Sequence, residues 1–494
     1  MEQGTPPPPA TRKAAFYDRL LAQPRFHLAF ILFFAAIVIF SQLAGNGLPN
    51  YDDSYYAQKA KEILQTGDWW TLHLDHQPRF DNPPFFMWLV ALSYQLFGVG
   101  DLAARFPSAL LGVATIVLIY FFARRLFGPW AGFFSAFVLS TSLLFIRYAR
   151  RAMVDVTLTF FVCAALFALV LALERSRRYF FLWGLCLGLG ILTKSVLGLS
   201  PLAITVLYLV LTKRWKLFLN GYFLLGSSVV LLLGGSWYLH QFLTFGQVFL
   251  DVHFRWLIFE RAFQLEAQPW AAHLSYVKEL AASYWPWLPL FVLGTVRLLR
   301  PGEKKVPHAS LLVLWPLLIL VTMSLAQTRV IWYVLPIFPA AAMISGFALQ
   351  ELLRERGRLI FARAAVALAL VALIAFNATP LKLSPPRETD VRALAPSVKH
   401  WADNGARVIA FRLVYHQFNN ALLFYSDHAA DPIFQSYPEL AQALDAPALV
   451  LCVLAVSELA GVEENVPGVY VVRKADKLAL IANRPVDGSE IGAR

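Results

Sequence analysis

The chain has 494 residues, 58% of them hydrophobic, and a formal net charge of +12 at pH 7. Soluble domains hold roughly 45–50% apolar residues, so composition excludes a soluble enzyme and points to an integral membrane protein. In that class a basic excess belongs to cytoplasmic loops rather than to a nucleic-acid surface. Cys163 and Cys186 fall in apolar runs and Cys452 in the polar C-terminal part, which leaves no disulfide framework and no zinc-ligand spacing.

From the N-terminus, the proline run within 4–10 and the basic residues Arg12, Lys13, Arg19 and Arg25 predict a cytoplasmic tail over 1–26. The apolar run 27–48 lacks a small-residue cleavage site and is long enough to span, which reads as an uncleaved anchor. Stretches of roughly 20 mainly apolar residues then predict a polytopic α-helical protein of about 11 transmembrane helices. They lie at 27–48, 104–123, 130–148, 156–173, 179–193, 195–212, 219–240, 284–299, 309–326, 330–350 and 359–378, within a membrane domain 27–380 whose outer-face loops are 49–103 and 241–283.

With the N-terminus cytoplasmic, the short basic connections fall on the inner side, as the positive-inside rule requires. They carry Arg124 and Arg125; Arg175, Arg177 and Arg178; Lys213, Arg214 and Lys216; Arg297, Arg300, Lys304 and Lys305; and Arg354, Arg356 and Arg358. The C-terminus is then periplasmic. This topology depends on 179–193 and 195–212 being two elements, because a single broken one would invert every side downstream.

The polar interruption 50–82 holds Asp52, Asp53, Asp68, Asp75 and Asp81 between apolar runs. A carboxylate in hydrocarbon costs several kcal/mol, so this loop must meet water or a lined cavity. Asp53 or Ser54 is placed to cap a helix in which Tyr55, Ala57, Gln58, Lys61, Ile63 and Leu64 give an amphipathic pattern, expected to lie in the membrane interface. Trp69 and Trp70 are expected at headgroup depth. Pro83 and Pro84 open a further apolar helix with Asp81 just before it, and Asp155 ends a turn containing Arg150 and Arg151. Any one of these carboxylates is as readily a helix cap. Asp52, Asp81 and Asp155 from separate elements, with Arg150, Lys194 and Arg329 set against the charge bias, predict a reaction centre with an anion site.

After 381 the composition becomes that of a soluble domain. Runs at 407–414, 448–454, 469–472 and 478–482 read as strands, and 390–402 and 437–444 as helices, with Gly405 a stop. The expectation is a small extracytoplasmic α/β domain over 381–494, acting as a cap or acceptor-docking module without chemistry of its own.

In order and spacing, NYDDSYYAQKAKEILQTGDW, RFDNPPFFMWLVALSYQLFGVGDLAARFPSAL, ARRLFG, RRAMVDVTLTFF, GILTKS and TRVIWYVLPIFPA resemble the dolichyl-phosphate-mannose protein mannosyltransferase-like family, glycosyltransferase family 39. They also resemble its bacterial relatives that transfer aminoarabinose to lipid A. The ordered set covers roughly the first 350 residues and is more specific than any one motif. The resemblance implies a GT-C fold and an inverting hexosyl- or pentosyltransferase. Its donor would be a polyprenyl-phosphate-linked sugar of the undecaprenyl kind, used at the outer face of the bacterial inner membrane. The implied acceptor is lipid A, another envelope glycolipid, a polymer or a protein.

The resemblance also implies roles. Asp52 matches the catalytic base, with Asp53 where the family has Glu; Asp155 matches a second functional carboxylate. Lys194, Arg329 and Arg261 match donor-phosphate ligands, and Tyr55, Tyr56, Asn82 and Tyr333 occupy further motif positions. There are two departures. Aminoarabinose transferases commonly carry Glu-Lys where this chain has Asp81 and Asn82, and Asn82 cannot lend a positive charge to a phosphate. Trp256 falls near the place of a metal-partner histidine, with His253 three residues earlier, so Asp81 and His253 are carried as acceptor or metal positions.

Chemistry asks for the same residue types. Inverting transfer needs a base for the acceptor proton, and a leaving phosphate of low pKa needs cations rather than a general acid. Arginine offers such a phosphate bidentate geometry. A divalent metal is compatible but not required. The alternative from another class is a transporter or lipid flippase with a charged outer-face cavity; it would show internal repeats and mid-span charges, whereas here no repeat is visible and the charges cluster at one face.

Overall fold

The computed structural model describes residues 18–45, 47–260, 275–300, 306–325, 330–378 and 387–486. The chain forms two compact units: Met1–Gln42 with Phe80–Phe86 and Pro107–Lys382, and Leu43–Arg79 with Met87–Phe106 and Leu383–Arg494.

Among the described residues, six helices are long and apolar enough to cross a membrane: Asp101–Phe127, Val154–Glu174, Tyr179–Leu211, Gly221–Phe245, Ile331–Leu352 and Glu355–Ala378. A seventh arises if Pro129–Ser140 and Leu143–Ala149, bent by 68°, count as one span. Pro24–Phe40, Phe85–Phe97, Leu288–Leu299 and Ala309–Leu325 are shorter apolar helices. The difference from eleven has two sources: 179–193 and 195–212 form one run, Tyr179–Leu211, and Pro24–Phe40, Leu288–Leu299 and Ala309–Leu325, helices of 12–17 residues, reach only about 18–26 Å, short of the ~30 Å hydrocarbon core. Apolar composition counts these segments as spans, whereas helix length does not.

The first unit settles how 179–212 runs. Helix Tyr179–Lys194 ends where Lys194 turns extended (φ −150°, ψ 51°) and Ser195 takes φ 41°, ψ −125°. A Cβ on Gly198 would lie 2.4 Å from the carbonyl oxygen of Gly190, although eight residues of continuous helix would separate them by about 12 Å. The helical path is broken at Ser195, so Tyr179–Lys194 and Ser200–Leu211 are separate helices, although with the short turn Ser195–Leu199 between them they make up the single long apolar run Tyr179–Leu211 counted above. Close approach of small residues also seats the next helix: a Cβ on Gly184 would lie 2.1 Å from the Gly226 oxygen. Such contacts suit helices that gain little from hydrophobic burial in lipid.

Helix ends of this unit meet in two groups. At one end Arg125 Nε donates to Glu174 (2.8 Å), His308 Nε2 pairs with Glu174 (3.1 Å) and Tyr208 OH pairs with His308 Nδ1 (2.7 Å). Gln350 Nε2 donates to the Phe127 carbonyl (2.8 Å) and Arg358 to the Gln350 carbonyl (2.7 Å). The basic connections expected on one side therefore share one end of the unit. In the second group Arg150 donates to the carbonyls of Val38 (2.9 Å) and Ile39 (2.8 Å), closing the C-terminus of helix Pro24–Phe40. Its guanidinium serves a helix end, as expected for a cation at that pole of the helix dipole.

In the second unit, helix Asp52–Thr66 begins with Tyr51 in the cap position and no side-chain cap. The expected caps act otherwise: Asp53 lies in the first turn, and Ser54 Oγ donates back to the carbonyls of Leu48 (3.2 Å) and Pro49 (2.9 Å). Asp53, Ser54, Gln58, Lys59 and Glu62 of this helix are all buried. Protein covers its polar residues. Glu62 accepts from Gln58 Nε2 (2.8 Å) and from the amides of Asp75 (2.8 Å) and His76 (3.0 Å), the turn of a β-hairpin formed by Leu72–Leu74 and Gln77–Arg79. Trp88 Nε1 donates to the Trp69 carbonyl, and the Trp70 and Trp88 rings meet edge-on at 5.6 Å.

The C-terminal residues of the second unit build a five-stranded sheet in the order Ile433–Phe434, Arg407–Phe411, Val450–Ala455, Leu478–Ala482, Tyr470–Lys474. The first three strands are parallel and the last two join antiparallel. Alternation along Arg407–Phe411 and Val450–Ala455 sends Val408, Leu451 and Val453 to one core and Ile409, Val450 and Cys452 to the other, as a sheet covered on both faces requires. Helices Thr389–Asp403 and Tyr437–Leu444 fall where the sequence expects them.

Candidate active site

In the first unit the expected Asp155, Lys194 and Tyr333 come together. Helix Val154–Glu174 starts one residue before Asp155, so the carboxylate lies in the first turn, where the helix dipole favours negative charge. The residue is 1% exposed. Its Oδ1 accepts from Lys194 Nζ, and Oδ2 has no hydrogen-bond partner among the described residues. Lys194 Nζ also lies 4.4 Å from the Tyr333 ring centroid, a cation–π distance. An ammonium has three donors, so one salt bridge leaves capacity for an anion. A buried ion pair with an unsatisfied oxygen is costly as pure structure, and such orphans mark functional sites.

The turn before Asp155 contributes less than its charges suggest. Arg150 is engaged by the helix carbonyls described above, and Arg151 lies over the Tyr148 ring at 5.6 Å. Arg261 and Arg329, implied as phosphate ligands, lie outside the described residues.

His253 is a member of a buried hydrogen-bonded chain. Its Nδ1 faces the Phe80 carbonyl and must donate to it, which leaves Nε2 to accept from Ser195 Oγ at 3.1 Å. Tyr238 OH donates to the same Oγ at 2.9 Å. Trp237, Tyr238, Phe249 and Phe254 surround the imidazole with ring centroids at 5.2–5.4 Å. Burial holds its pKa below 6.5, against the Phe80 hydrogen bond and the nearby charge of Asp81, which favour protonation. A neutral imidazole with both nitrogens engaged is a member of a Tyr238–Ser195–His253–Phe80 hydrogen-bonded chain. Among the described residues no group of three His, Cys, Asp or Glu side chains is placed to hold a metal. Asp81 and Asn82 are half-buried beside Phe80. Sequence reasoning missed Ser195 and Tyr238; the neighbouring LTK motif pointed to the place, but not to a hydroxyl pair 43 residues apart.

In the second unit Asp52 and Tyr55 are half-buried on the first turn of helix Asp52–Thr66, while Asp53 and Tyr56 are buried. Lys59 Nζ lies over the Tyr55 ring at 4.0 Å. The sequence reading passed over Lys59 and Glu62, which are 0% and 1% exposed. Two fully buried opposite charges three residues apart look on paper like an ordinary solvent-facing helix pair.

A family model described as dolichyl-phosphate-mannose-protein mannosyltransferase matches residues 81–238. An uncharacterized protein of Aquifex aeolicus is 31% identical over 358 residues, covering 71% of this chain and 70% of the relative. The chain belongs to the protein-mannosyltransferase-like family of GT-C membrane proteins. Within this family, the undecaprenyl phosphate-alpha-4-amino-4-deoxy-L-arabinose arabinosyl transferase of Pectobacterium atrosepticum is 29% identical over 346 residues, 65% of this chain. That match spans 59% of the transferase's length. The crystal structure of ArnT from Cupriavidus metallidurans bound to undecaprenyl phosphate aligns at TM-score 0.77 and 18% identity, over 94% of this chain and 98% of that one, which shows the GT-C fold.

Proposed function

We propose that this protein transfers a sugar from a polyprenyl-phosphate donor to a hydroxyl or phosphate of an envelope acceptor, at the periplasmic face of the bacterial inner membrane and with inversion. The observation that carries the proposal is the buried Asp155–Lys194 pair, which lies inside the stretch matched by the family model. It supplies a cation and an unsatisfied carboxylate oxygen at the end of an apolar helix, where a lipid-borne phosphate can be met. Related transferases named for undecaprenyl phosphate and aminoarabinose support the donor class.

In this mechanism Asp52 accepts the proton of the acceptor group as its oxygen attacks the anomeric carbon. The bond from that carbon to the phosphate oxygen breaks, and the polyprenyl phosphate leaves as an anion. Lys194 opposes the charge gathering on the leaving group. Asp155 fixes the lysine and Tyr333 limits its sweep, so the ammonium is aimed before the donor arrives. Asp81 and Asn82, in place of an acid–lysine pair, favour a sugar or acceptor different from those of the aminoarabinose enzymes.

Mass spectrometry of envelope lipids and glycans from cells with and without the gene tests the reading: one glycosylated species should vanish and return on complementation. Complementation by Asp52→Asn at normal expression would remove Asp52 as the base.

A further inference from the structure

The C-terminal part of the second unit makes an unusual kind of contact with the chain leading into Asp52. Residues 43–45 and 47–50 form a strap with no regular secondary structure, and its backbone groups are met one by one by side chains. Arg105, 6% exposed, donates Nη1 to the Leu43 carbonyl (2.8 Å) and Nη2 to that of Gly47. Asp101 Oδ2 accepts from the Gly47 amide (2.9 Å), and the Tyr425 hydroxyl accepts from the Leu48 amide (2.8 Å) while donating to Asp101 Oδ1 (2.7 Å). Arg392 Nη1 donates to the Gly45 carbonyl (3.1 Å). Two residues before Asp52, the Asn50 amide donates to Glu388 Oε1 (3.2 Å), and Asn50 Oδ1 accepts from the Ala421 amide (2.7 Å).

The helix that follows is held as well. Lys61 Nζ donates to the Phe424 carbonyl (2.9 Å) and pairs with Asp427 at 2.6 Å, so Asp52 lies between two anchors on the C-terminal domain. Gly47 is obligatory, since its φ is +72° and a Cβ there would lie 2.2 Å from the Arg387 carbonyl oxygen. Fixing successive backbone amides and carbonyls sets the strap's path to a fraction of an ångström, which burial of apolar side chains alone does not do. That is the tolerance a general base requires, because a misplacement of about 1 Å can cost about 100-fold in rate.

We propose that the C-terminal domain is part of the catalytic apparatus, with Tyr425, Asp101 and Glu388 as positioning residues that fix the strap and thereby Asp52. The inference rests on the assignment of Asp52 as base. It replaces the view of this domain as a cap without chemistry.

The test uses full-length protein in proteoliposomes, with a chloroform–methanol extract of the source cells' polyprenyl-phosphate sugars titrated as donor. Tyr425→Phe keeps the ring and loses the hydroxyl. It should lower kcat about tenfold, leave donor KM within about twofold, and raise hydrogen exchange at the Leu48 amide about tenfold. Glu388→Ala should behave likewise, while Glu388→Gln, which keeps an acceptor oxygen, should recover most of the lost turnover. Wild-type kcat and wild-type exchange in Tyr425→Phe would overturn the inference. So would a general loss of thermal stability with kcat and KM moving together, or equal defects in Glu388→Gln and Glu388→Ala. Asp52→Asn separates the two ideas, since it should abolish turnover with strap exchange unchanged. Turnover in Asp52→Asn would sink the base assignment and, with it, the claim that the strap serves catalysis.

Discussion

Lys194 and Asp155 are the residues on which we propose that donor recognition turns, and their burial makes the proposal measurable. With side chains 12% and 2% exposed, removing one partner leaves an uncompensated charge, at a cost of about 3–5 kcal/mol. Lys194→Met should therefore lower the thermal midpoint in detergent sharply, and Lys194→Met with Asp155→Leu should restore much of it while sugar transfer stays absent. Recovery of transfer in the double variant would mean that the pair is structural. His253 gives a pH signature with a defined sign. Its folded pKa is depressed by burial, so the unfolded chain takes up the proton first and stability falls as pH drops from about 6.5 through the folded value. His253→Gln should flatten that part of the stability curve, as read by thermal unfolding between neutral and mildly acid pH. At this scale the sequence revealed Asp155, Lys194 and Tyr333 through motifs. It could not reveal Ser195 or Tyr238, whose meaning lies in hydrogen bonds to residues 58 and 43 positions away.

Helices and turns were legible where periodicity and composition decide them, and illegible where tertiary contacts do. Four strands of the C-terminal sheet and helix Tyr437–Leu444 lie within a few residues of their expected places, whereas the two-residue strand Ile433–Phe434 is too short to show a pattern. Helix Asp52–Thr66 mixes apolar and charged residues in an amphipathic pattern, which does not show that Lys59 and Glu62 are buried in the protein. The hairpin Leu72–Leu74/Gln77–Arg79 escaped notice because Asp75 and His76 hold positive φ (54° and 59°) without a glycine. Glu62 supplies what glycine usually does, by accepting both turn amides. The break at Ser195 gives the element-scale prediction. Gly198→Ala drives a Cβ against backbone and should destabilise by at least about 1–3 kcal/mol. Gly221→Ala, with nothing within 4 Å, should be silent in the same thermal assay.

For the whole molecule, composition alone sufficed for the membrane class, and the ordered motifs for the family. Arg125, Glu174, Tyr208, His308 and Gln350 gather at one end of the first unit, the end that the positive-inside rule would put in the cytoplasm. A periplasmic reporter fused after Arg494 should accordingly be active, and one inserted after Lys213 inactive; the reverse pair would invert the topology. What hydropathy could not supply was depth. Helix Tyr179–Lys194 has 16 residues and rises about 24 Å, against a hydrocarbon thickness of ~30 Å, so counted from its basic start it stops below the opposite surface. On the proposed function, a phosphate that meets Lys194 would be drawn beneath the plane of the neighbouring headgroups while its prenyl tail stayed among acyl chains. The donor would then never have to be lifted out of its solvent: the polar reaction would come down to the lipid.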